Sequence, residues 1–276
     1  MKITKMQGLG NDYIYINGLE TAVEDPAGLA VRISDRHFGV GSDGLVMILP
    51  CDEADFRMRM FNADGSEAEM CGNAARCVGK YLWDKGLSNQ KSIRLMTGSG
   101  IRSLDLTVEN GKVEKVRVDM GAPELAPARI PVALEGERIV DRPVEIPGRS
   151  FRMTCVSMGN PHAVIFVDDA EAFDVHGIGP QLENHPLFPR RTNVEFVTVK
   201  DREHLRMRVW ERGSGETMAC GTGACATLVA GVLNNVCERK ATLELNGGSL
   251  TVEWDPATGH VYQEGPAAFV FEGEYE

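Results

Sequence analysis

The chain has 276 residues, of which 29 are Lys or Arg and 40 are Asp or Glu, for a formal charge of −11. A negative protein repels nucleic acid and anionic membrane surfaces, so this balance argues against either partner. The length allows one large domain or two modest ones, and an apolar content of 43% is enough for a sizeable core.

The first part of the chain mixes strand and helix patterns. Asp25 followed by Pro26 is a typical helix N-cap and first-turn pair, and Asn110-Gly111 is a typical hairpin turn. In chain order the patterns predict a strand at Ile14–Ile16, a helix from Pro26 to about Arg36, a strand at Leu45–Leu49, a helix from Gly72 to about Asp84 and a hairpin strand at Val113–Val118.

The rest of the chain begins with a proline-rich stretch, residues 122–150, which predicts a crossing segment with edge strands rather than a helix. Strands are expected at Val164–Phe166 and Val194–Val199. The segment from Gly221 to about Val236 has no polar face, which predicts a helix buried on nearly all sides. Phe269–Phe271 predicts a last strand that either half can accept.

Several features indicate a reducing compartment. Residues 1–8 lack the apolar stretch of a signal peptide, and an apolar run such as Leu45–Leu49 is far too short to span a membrane. The seven cysteines are odd in number and widely spread, which fits reduced thiols better than a disulfide framework. We therefore expect a cytoplasmic protein.

The chain contains an internal repeat. Gly10-Asn11 and Cys71-Gly72 recur 149 positions later as Gly159-Asn160 and Cys220-Gly221, and further matches follow in the same order. The repeat predicts two related α/β (α+β) domains, each a mostly antiparallel sheet or barrel wrapped around a central helix. The expected domains are residues 1–121 plus 266–276 and residues 122–265.

The familiar sequence motifs indicate neither a metal site nor a nucleotide site. No metal-binding spacing of Cys or His occurs, so no metal is expected. Residues 39–44 match G-x-G-x-x-G, but they follow a helix and precede a strand, which is the reverse of a dinucleotide fold. Residues 221–226 match the looser G-x-G-x-x-A at a helix start, which favours an anion site without a nucleotide.

Cys71 and Cys220 carry the functional hypothesis. Each precedes a Gly that opens a central helix, where the helix dipole is expected to lower a thiol pKa and the free backbone N–H groups can hold a carboxylate. Inverting a stereocentre by proton transfer needs a base on one face and an acid on the other, and two related domains can supply one thiol each. The other five cysteines are interpreted as small buried apolar residues. No lysine motif suggests a pyridoxal cofactor.

Side chains near the two cysteines differ between the halves. Asn62 in the first half corresponds to Glu211 in the second, which Arg212 follows. Glu211 is suited to bind an ammonium group and Arg212 a carboxylate. A Glu-Arg dipeptide alone would be interpreted as a solvated surface pair, but its place next to the duplicated Cys motif favours binding. Asn11 and Asn160 each follow a Gly, as asparagines in turns do, but their matched positions favour a place in the site.

These segments resemble the diaminopimelate epimerase family. The resemblance covers the whole chain and rests on residues 8–12, 61–66, 70–74, 159–162, 211–213 and 219–223. It implies a cofactor-independent epimerase for LL- and meso-diaminopimelate in lysine and peptidoglycan-precursor synthesis. It also implies two pseudo-symmetric α/β domains, a cleft that closes on a small-molecule substrate, and a homodimer.

The same resemblance implies roles for individual residues. Cys71 and Cys220 are then the acid/base pair, and His162 is a supporting residue. The residues that hold the carboxylate of the reacting centre are Gly72, Asn73, Gly221 and Thr222. The residues that hold the rest of the substrate are Asn11, Asn62, Asn160, Asn193, Glu211 and Arg212. Some family members carry Gln where this chain has Gly44, so that side-chain contact is absent here.

Three alternatives stay open. Proline racemase and hydroxyproline epimerase share the implied fold and the cysteine pair, but their substrates have one carboxylate, so Glu211-Arg212 favours a longer diamino diacid. The phenazine-biosynthesis isomerases share the fold and lack the thiol pair. A thiol redox sensor or an amino-acid-binding protein, which would not exchange the α-proton of an amino acid with solvent, belongs to a different class.

Overall fold

The computed structural model describes all 276 residues, which form two compact units. One unit is residues 1–119 with 264–276, and the other is residues 120–263. Both boundaries lie two residues before the expected ones. Residues 120 and 121 belong to the second unit because the backbone of Met120 and Gly121 is hydrogen-bonded to Val261.

The elements follow one another in mixed order. Residues 1–119 hold β1 (Lys2–Gly8), β2 (Asn11–Asn17), α1 (Pro26–Ser34), β3 (Gly44–Leu49), β4 (Phe56–Asn62), β5 (Glu67–Ala68), α2 (Gly72–Asp84), β6 (Ser92–Thr97), β7 (Gly100–Glu109) and β8 (Lys112–Asp119). The rest of the chain holds a 3-10 turn (Pro127–Arg129), β9 (Arg142–Ile146), β10 (Arg149–Ser157), β11 (Pro161–Phe166), α3 (Val175–Glu183), β12 (Asn193–Asp201), β13 (His204–Glu211), β14 (Gly215–Glu216), α4 (Gly221–Leu233), β15 (Lys240–Leu245), β16 (Gly248–Trp254), β17 (Val261–Gly265) and β18 (Ala268–Glu274).

The first unit is a mixed sheet packed against α2. Strand β1 pairs with β18 and β2, β2 with β3, β3 with β4, β4 with β6, and β6–β7–β8 form a meander. The β2–β3 and β4–β6 pairs are parallel and the others antiparallel. Helix α2 contacts β8, β1, β7 and β2 and is buried over most of its length, as the sequence predicts for a central helix.

The second unit repeats this order. Strand β10 pairs with β9 and β11, β11 with β12, β12 with β13, β13 with β15, and β15 with β16. The register repeats as well: Ile14 faces Leu45 in the first unit and Ala163 faces Val194 in the second, each position shifted by 149. Helix α4, equal in length to α2, contacts β16, β10, β11 and β12. The internal repeat is therefore a repeat of fold.

Two helices end earlier than expected. Helix α1 stops at Ser34 because Asp35 adopts an extended conformation and its carboxylate accepts hydrogen bonds from the N–H groups of His37 and Phe38. Helix α4 stops at Leu233 because Asn235 has a left-handed backbone, with φ of 56°, which ends a helix.

Other local predictions are confirmed. Asp25 caps α1 by accepting a 2.9 Å hydrogen bond from Gly28 N, and Asp174, 149 positions later, caps α3 in the same way through Gly177 N. The Asn110-Gly111 turn, with φ of 50° and 79°, joins β7 to β8. Strand β18 joins the first unit by pairing with β1, which settles the half that the last strand joins. None of the four helices has the length and apolar character needed to cross a membrane.

Candidate active site

The two matched cysteines occupy equivalent positions in the two units. Cys71 is the N-cap residue of α2 and Cys220 is the N-cap residue of α4, and both have extended backbones. The glycine that follows each cysteine is the first residue of the helix and is buried. At Gly221 a Cβ atom would lie 2.9 Å from Oε1 of the buried Gln263, so a larger residue would require the Gln263 side chain to shift.

Cys71 lies beside an asparagine pair. Its Sγ is 3.5 Å from Asn11 Oδ1, which also accepts a 3.2 Å hydrogen bond from Asn73 Nδ2. The Nδ2 of Asn11 donates to Asp43 Oδ2 at 2.7 Å. The structure thus brings together three residues that the sequence singled out, Cys71, Asn73 and Asn11, at the start of α2.

A buried arginine completes this group. Arg76 is fully buried in α2, and its guanidinium donates to Asn73 Oδ1 at 2.8 Å and to Pro266 O at 3.1 Å. Sequence reasoning missed both Arg76 and Asp43. The available signal for Arg76 was a charged residue one turn after the helix start, on a helix expected to be central.

Asn62 has a different setting. It ends β4, and its Nδ2 donates to Ser66 Oγ at 3.0 Å across the turn to β5. The same hairpin is held by a two-pronged ion pair between Arg59 and Glu67, which the second unit repeats as Arg208 with Glu216. These matched pairs place the loops that carry Asn62 and Glu211 in equivalent positions.

Cys220 is more enclosed than Cys71. Only 4% of the residue is exposed, and its Sγ accepts a 3.3 Å hydrogen bond from Gly223 N and lies 3.5 Å from Thr222 Oγ1. Thr222 Oγ1 in turn accepts a 3.2 Å hydrogen bond from Asn160 Nδ2.

The expected lowering of the thiol pKa is wrong for Cys220. Burial raises the pKa of Cys220 well above the ordinary value, and the negative charges of Glu211 and Glu195 raise it further. The hydrogen bonds from Thr222 and from the backbone of Gly223 act in the other direction and are outweighed. The helix start therefore supplies donors to the sulfur, but desolvation dominates.

Glu211 is placed to exchange a proton with Cys220. Its Oε1 accepts a hydrogen bond from Thr217 Oγ1, and its carboxyl group is hydrogen-bonded to the Cys220 thiol. Burial raises the pKa of Glu211 above its ordinary value, although these two hydrogen bonds lower it. A partly buried carboxylate beside a buried thiol can act as the local base for that thiol.

A histidine lies deeper in the same unit. His162 is fully buried, with Nδ1 2.6 Å from Glu195 Oε1 and Nε2 3.0 Å from Asn160 Oδ1. Glu195 is also fully buried, and its second oxygen has no hydrogen-bond partner. His162 thus contacts the candidate site through Asn160, and Glu195 is a residue that the sequence patterns did not reveal, because it lies inside an apolar strand.

Asn193 and Arg212 are connected through the backbone. Asn193 Nδ2 donates to Pro161 O at 3.0 Å, and Arg212 N donates to Asn193 Oδ1 at 2.9 Å. The Arg212 side chain is exposed and donates to Arg190 O. In this structure the Asn193 amide holds the loop that carries Arg212.

The described contacts therefore form two separate groups, one in each unit. The first contains Cys71, Asn73 and Asn11, and the second contains Cys220, Thr222, Asn160, His162 and Glu211. Asn62 and Arg212 do not join these groups by a described contact. No group of three or more His, Cys, Asp or Glu side chains is arranged to hold a metal ion.

The duplicated fold is shared with solved structures. The chain is similar to a phenazine biosynthesis protein of the PhzF family from Bacillus anthracis, with a TM-score of 0.72 and 17% identity over 100% of this chain and 99% of that one. It is also similar to a hydroxyproline epimerase from Agrobacterium vitis, with a TM-score of 0.69 and 14% identity over 99% of this chain and 91% of that one. Identities this low show the fold alone, which confirms the predicted fold class.

Fold and helix-start thiols together define a class of duplicated α/β proteins with one cysteine at the matched helix of each half. Within this class the family is shown by sequence. The family model described as diaminopimelate epimerase matches residues 3–126 and 154–270. A diaminopimelate epimerase from Acetivibrio thermocellus is 60% identical over 276 residues, 100% of this chain and 99% of that protein. The chain belongs to the diaminopimelate epimerase family.

Proposed function

We propose that this protein interconverts LL- and meso-diaminopimelate by moving a proton at Cα between two thiols, without a cofactor, in lysine and peptidoglycan-precursor synthesis. The observation that carries the proposal is the matched pair of cysteines at the first turns of α2 and α4 in a repeated fold. Full-length similarity to diaminopimelate epimerases supports the substrate.

In the proposed reaction one cysteine, as a thiolate, takes the α-proton of the substrate. The electron pair left on Cα is delocalised into the adjacent carboxylate, which backbone N–H groups at the two helix starts are suited to stabilise. The other cysteine, as a thiol, then delivers its proton to the opposite face of Cα, which inverts the centre. After turnover the two sulfur atoms have exchanged protonation states.

The substrate contacts follow the same division. We assign the carboxylate of the reacting centre to the helix-start residues Gly72, Asn73, Gly221 and Thr222. We assign the rest of the substrate to Asn11, Asn62, Asn160, Asn193, Glu211 and Arg212. His162 supports Asn160 by the 3.0 Å contact described above.

The direct test is conversion of LL-diaminopimelate to the meso isomer by purified protein with no added cofactor, followed by chiral chromatography. Proline and lysine are the matched controls, because each lacks a second amino-acid end. Conversion of LL-diaminopimelate alone supports the proposal. Comparable conversion of proline would favour the racemase alternative, and conversion of none of the three would favour a binding or redox-sensing protein.

Arg212→Lys tests substrate selection. Lys keeps the charge but cannot reproduce the planar two-pronged contact that Arg makes with a carboxylate. A charge-assisted hydrogen bond contributes about 1.5–3 kcal/mol, so kcat/KM should fall at least ~10-fold. Arg190→Lys, a neighbouring arginine with no proposed role, is the control in the same steady-state assay. An Arg212→Lys enzyme with unchanged kcat/KM would remove Arg212 from the proposed contacts.

We propose a homodimer in the cytoplasm. All seven cysteines are free, which is typical of a reducing compartment. Strand β18 exposes Val270 and Phe271, two large apolar side chains that a second copy of the chain would cover. Light scattering should therefore give twice the 30.2 kDa mass of the chain. A mass of one chain at micromolar concentration would contradict the dimer.

A further inference from the structure

The equivalent asparagines of the two units present opposite ends of their amides to the helix starts. In the first unit Asn11 directs its carbonyl oxygen toward Cys71 and Asn73, and its NH₂ group toward Asp43. In the second unit Asn160 directs its NH₂ group toward Thr222 and its carbonyl oxygen toward His162.

The orientation in the first unit is fixed at both ends. Asp43 Oδ1 accepts a hydrogen bond from Arg36, and the carboxylate oxygen Oδ2 that faces Asn11 can only accept. At the other end Arg76 can only donate, so Asn73 must turn its carbonyl oxygen to Arg76 and its NH₂ group to Asn11. The oxygen of Asn11 is therefore an acceptor, and the Cys71 thiol can donate to it.

The repeat replaces each of these anchors. Positions 43 and 76 correspond to Thr192 and Cys225, and neither can act as the carboxylate or the guanidinium does. In exchange the second unit has His162 and Glu195 where the first has Tyr13 and Val46. In the first unit Asp43 orients the NH₂ group of Asn11 and Arg76, through Asn73, orients its carbonyl oxygen. In the second unit the orienting group is His162, which contacts the carbonyl oxygen of Asn160.

Glu195 needs a compensating positive charge. It is fully buried, its Oε2 has no hydrogen-bond partner, and its Oε1 lies 2.6 Å from His162 Nδ1. A buried carboxylate without a cationic partner is strongly unfavourable. A His162 ring with hydrogens on both nitrogens satisfies Glu195 through Nδ1 and donates to Asn160 Oδ1 through Nε2.

We propose that Glu195 is a positioning residue that holds His162 as a doubly protonated ring. This ring donates to the carbonyl oxygen of Asn160 and so orients the NH₂ group of Asn160 toward Thr222. Because Thr222 Oγ1 then accepts from Asn160, its own hydrogen is free to point at Cys220 Sγ, 3.5 Å away. Cys71 therefore faces the carbonyl oxygen of its asparagine, whereas Cys220 faces a hydroxyl and a backbone N–H that can donate to its sulfur. These donors oppose, without outweighing, the burial and the negative charges that raise the Cys220 pKa. This inference rests on the proposed epimerase function for its consequence.

The test is the protonation of His162 in the protein without substrate. In protein labelled with ¹⁵N-histidine, the wild-type His162 ring should show one-bond N–H couplings at both nitrogens at neutral pH. His162→Gln assigns the signal, and full burial of the ring slows exchange of its hydrogens with solvent. Glu195→Gln should remove one of the two couplings, because the neutral amide no longer stabilises the charged ring.

Glu183→Gln is the matched control. Glu183 is another buried carboxylate of the second unit, and its hydrogen bonds go to Trp210, Gly213 and Arg191 rather than to a histidine. The Glu183→Gln variant should retain the one-bond N–H couplings at both nitrogens of His162. In turnover, Glu195→Gln should lower kcat on the order of 10-fold with little change in KM, as expected for a misplaced group rather than a lost one.

A wild-type His162 ring with a hydrogen on only one nitrogen would overturn the proposal, whether or not Glu195→Gln folds. The measurement is independent of activity. A protein that fails to epimerise diaminopimelate but shows two protonated nitrogens would refute the proposed function and support the role of Glu195. An active enzyme with a singly protonated His162 ring would support the proposed function and refute the role of Glu195.

Discussion

Replacing either helix-start cysteine by alanine should abolish epimerisation. Loss of a positioned acid or base costs ~10²–10⁴ in rate. Each change removes one sulfur atom, so the fold should survive with a loss of about 1 kcal/mol in the free energy of unfolding. Turnover of LL-diaminopimelate by Cys71→Ala and Cys220→Ala is the measurement.

The chain supplies matched controls for both variants. Cys77 lies in α2 and Cys225 in α4, each buried and each without a proposed part in proton transfer. Cys77→Ala and Cys225→Ala should keep turnover near the wild-type rate. Near-normal turnover in Cys71→Ala or Cys220→Ala, with the substitution verified by mass spectrometry, would reject the two-thiol mechanism.

Glu211→Gln should lower kcat by ~10²–10⁴ and at the same time stabilise the fold near neutral pH. The loss of rate follows because an amide cannot take the proton of the Cys220 thiol. The gain in stability follows because burial raises the pKa of Glu211, so that the ionised carboxylate is less favourable in the folded chain than in the unfolded chain.

The pH dependence of the melting temperature tests the predicted gain in stability separately from the loss of rate. A carboxyl whose folded pKa is raised binds its proton more tightly in the folded state, so its contribution to stability falls as the pH rises through that window. The melting temperature of Glu211→Gln should exceed that of the wild type near neutral pH, and the difference should vanish below the ordinary carboxyl pKa. A lower melting temperature at neutral pH, or unchanged kcat, would contradict the assigned role.

Most of the fold was accessible from the sequence because a duplication doubles the evidence for each element. The N-caps Asp25 and Asp174, the strands that follow them and the two central helices recur at one spacing, so each half predicts the other. The helix ends were less accessible. Local hydrogen bonds at Asp35 and the left-handed backbone at Asn235 decide where α1 and α4 stop, and neither has a periodic signal.

The sequence singled out the cysteines and asparagines of the candidate site, but it was a poorer guide to their hydrogen bonding and to the pKa of the thiols. The thiols, Asn11 and Asn160 were identified because they repeat, whereas Arg76, Asp43 and Glu195 were missed because each occurs in only one half. The expected lowering of the Cys220 pKa was wrong because a sequence shows the helix start but not the depth of burial. The catalytic and binding roles of all the site residues stay predictions. For Asn62 and Arg212 the structure shows only side-chain hydrogen bonds to a neighbouring turn and to backbone.

The most direct test of the two-thiol mechanism is the early fate of the α-hydrogen in D₂O. LL-diaminopimelate is incubated with the enzyme for a small fraction of one conversion, the isomers are separated, and each is analysed by proton NMR and mass spectrometry. If one thiol removes the hydrogen and the other delivers a solvent-derived deuteron, the meso product carries deuterium at Cα while the remaining LL substrate stays unlabelled. Meso product that retains the original hydrogen, or substrate and product labelled at equal initial rates, would show a single base and contradict the mechanism.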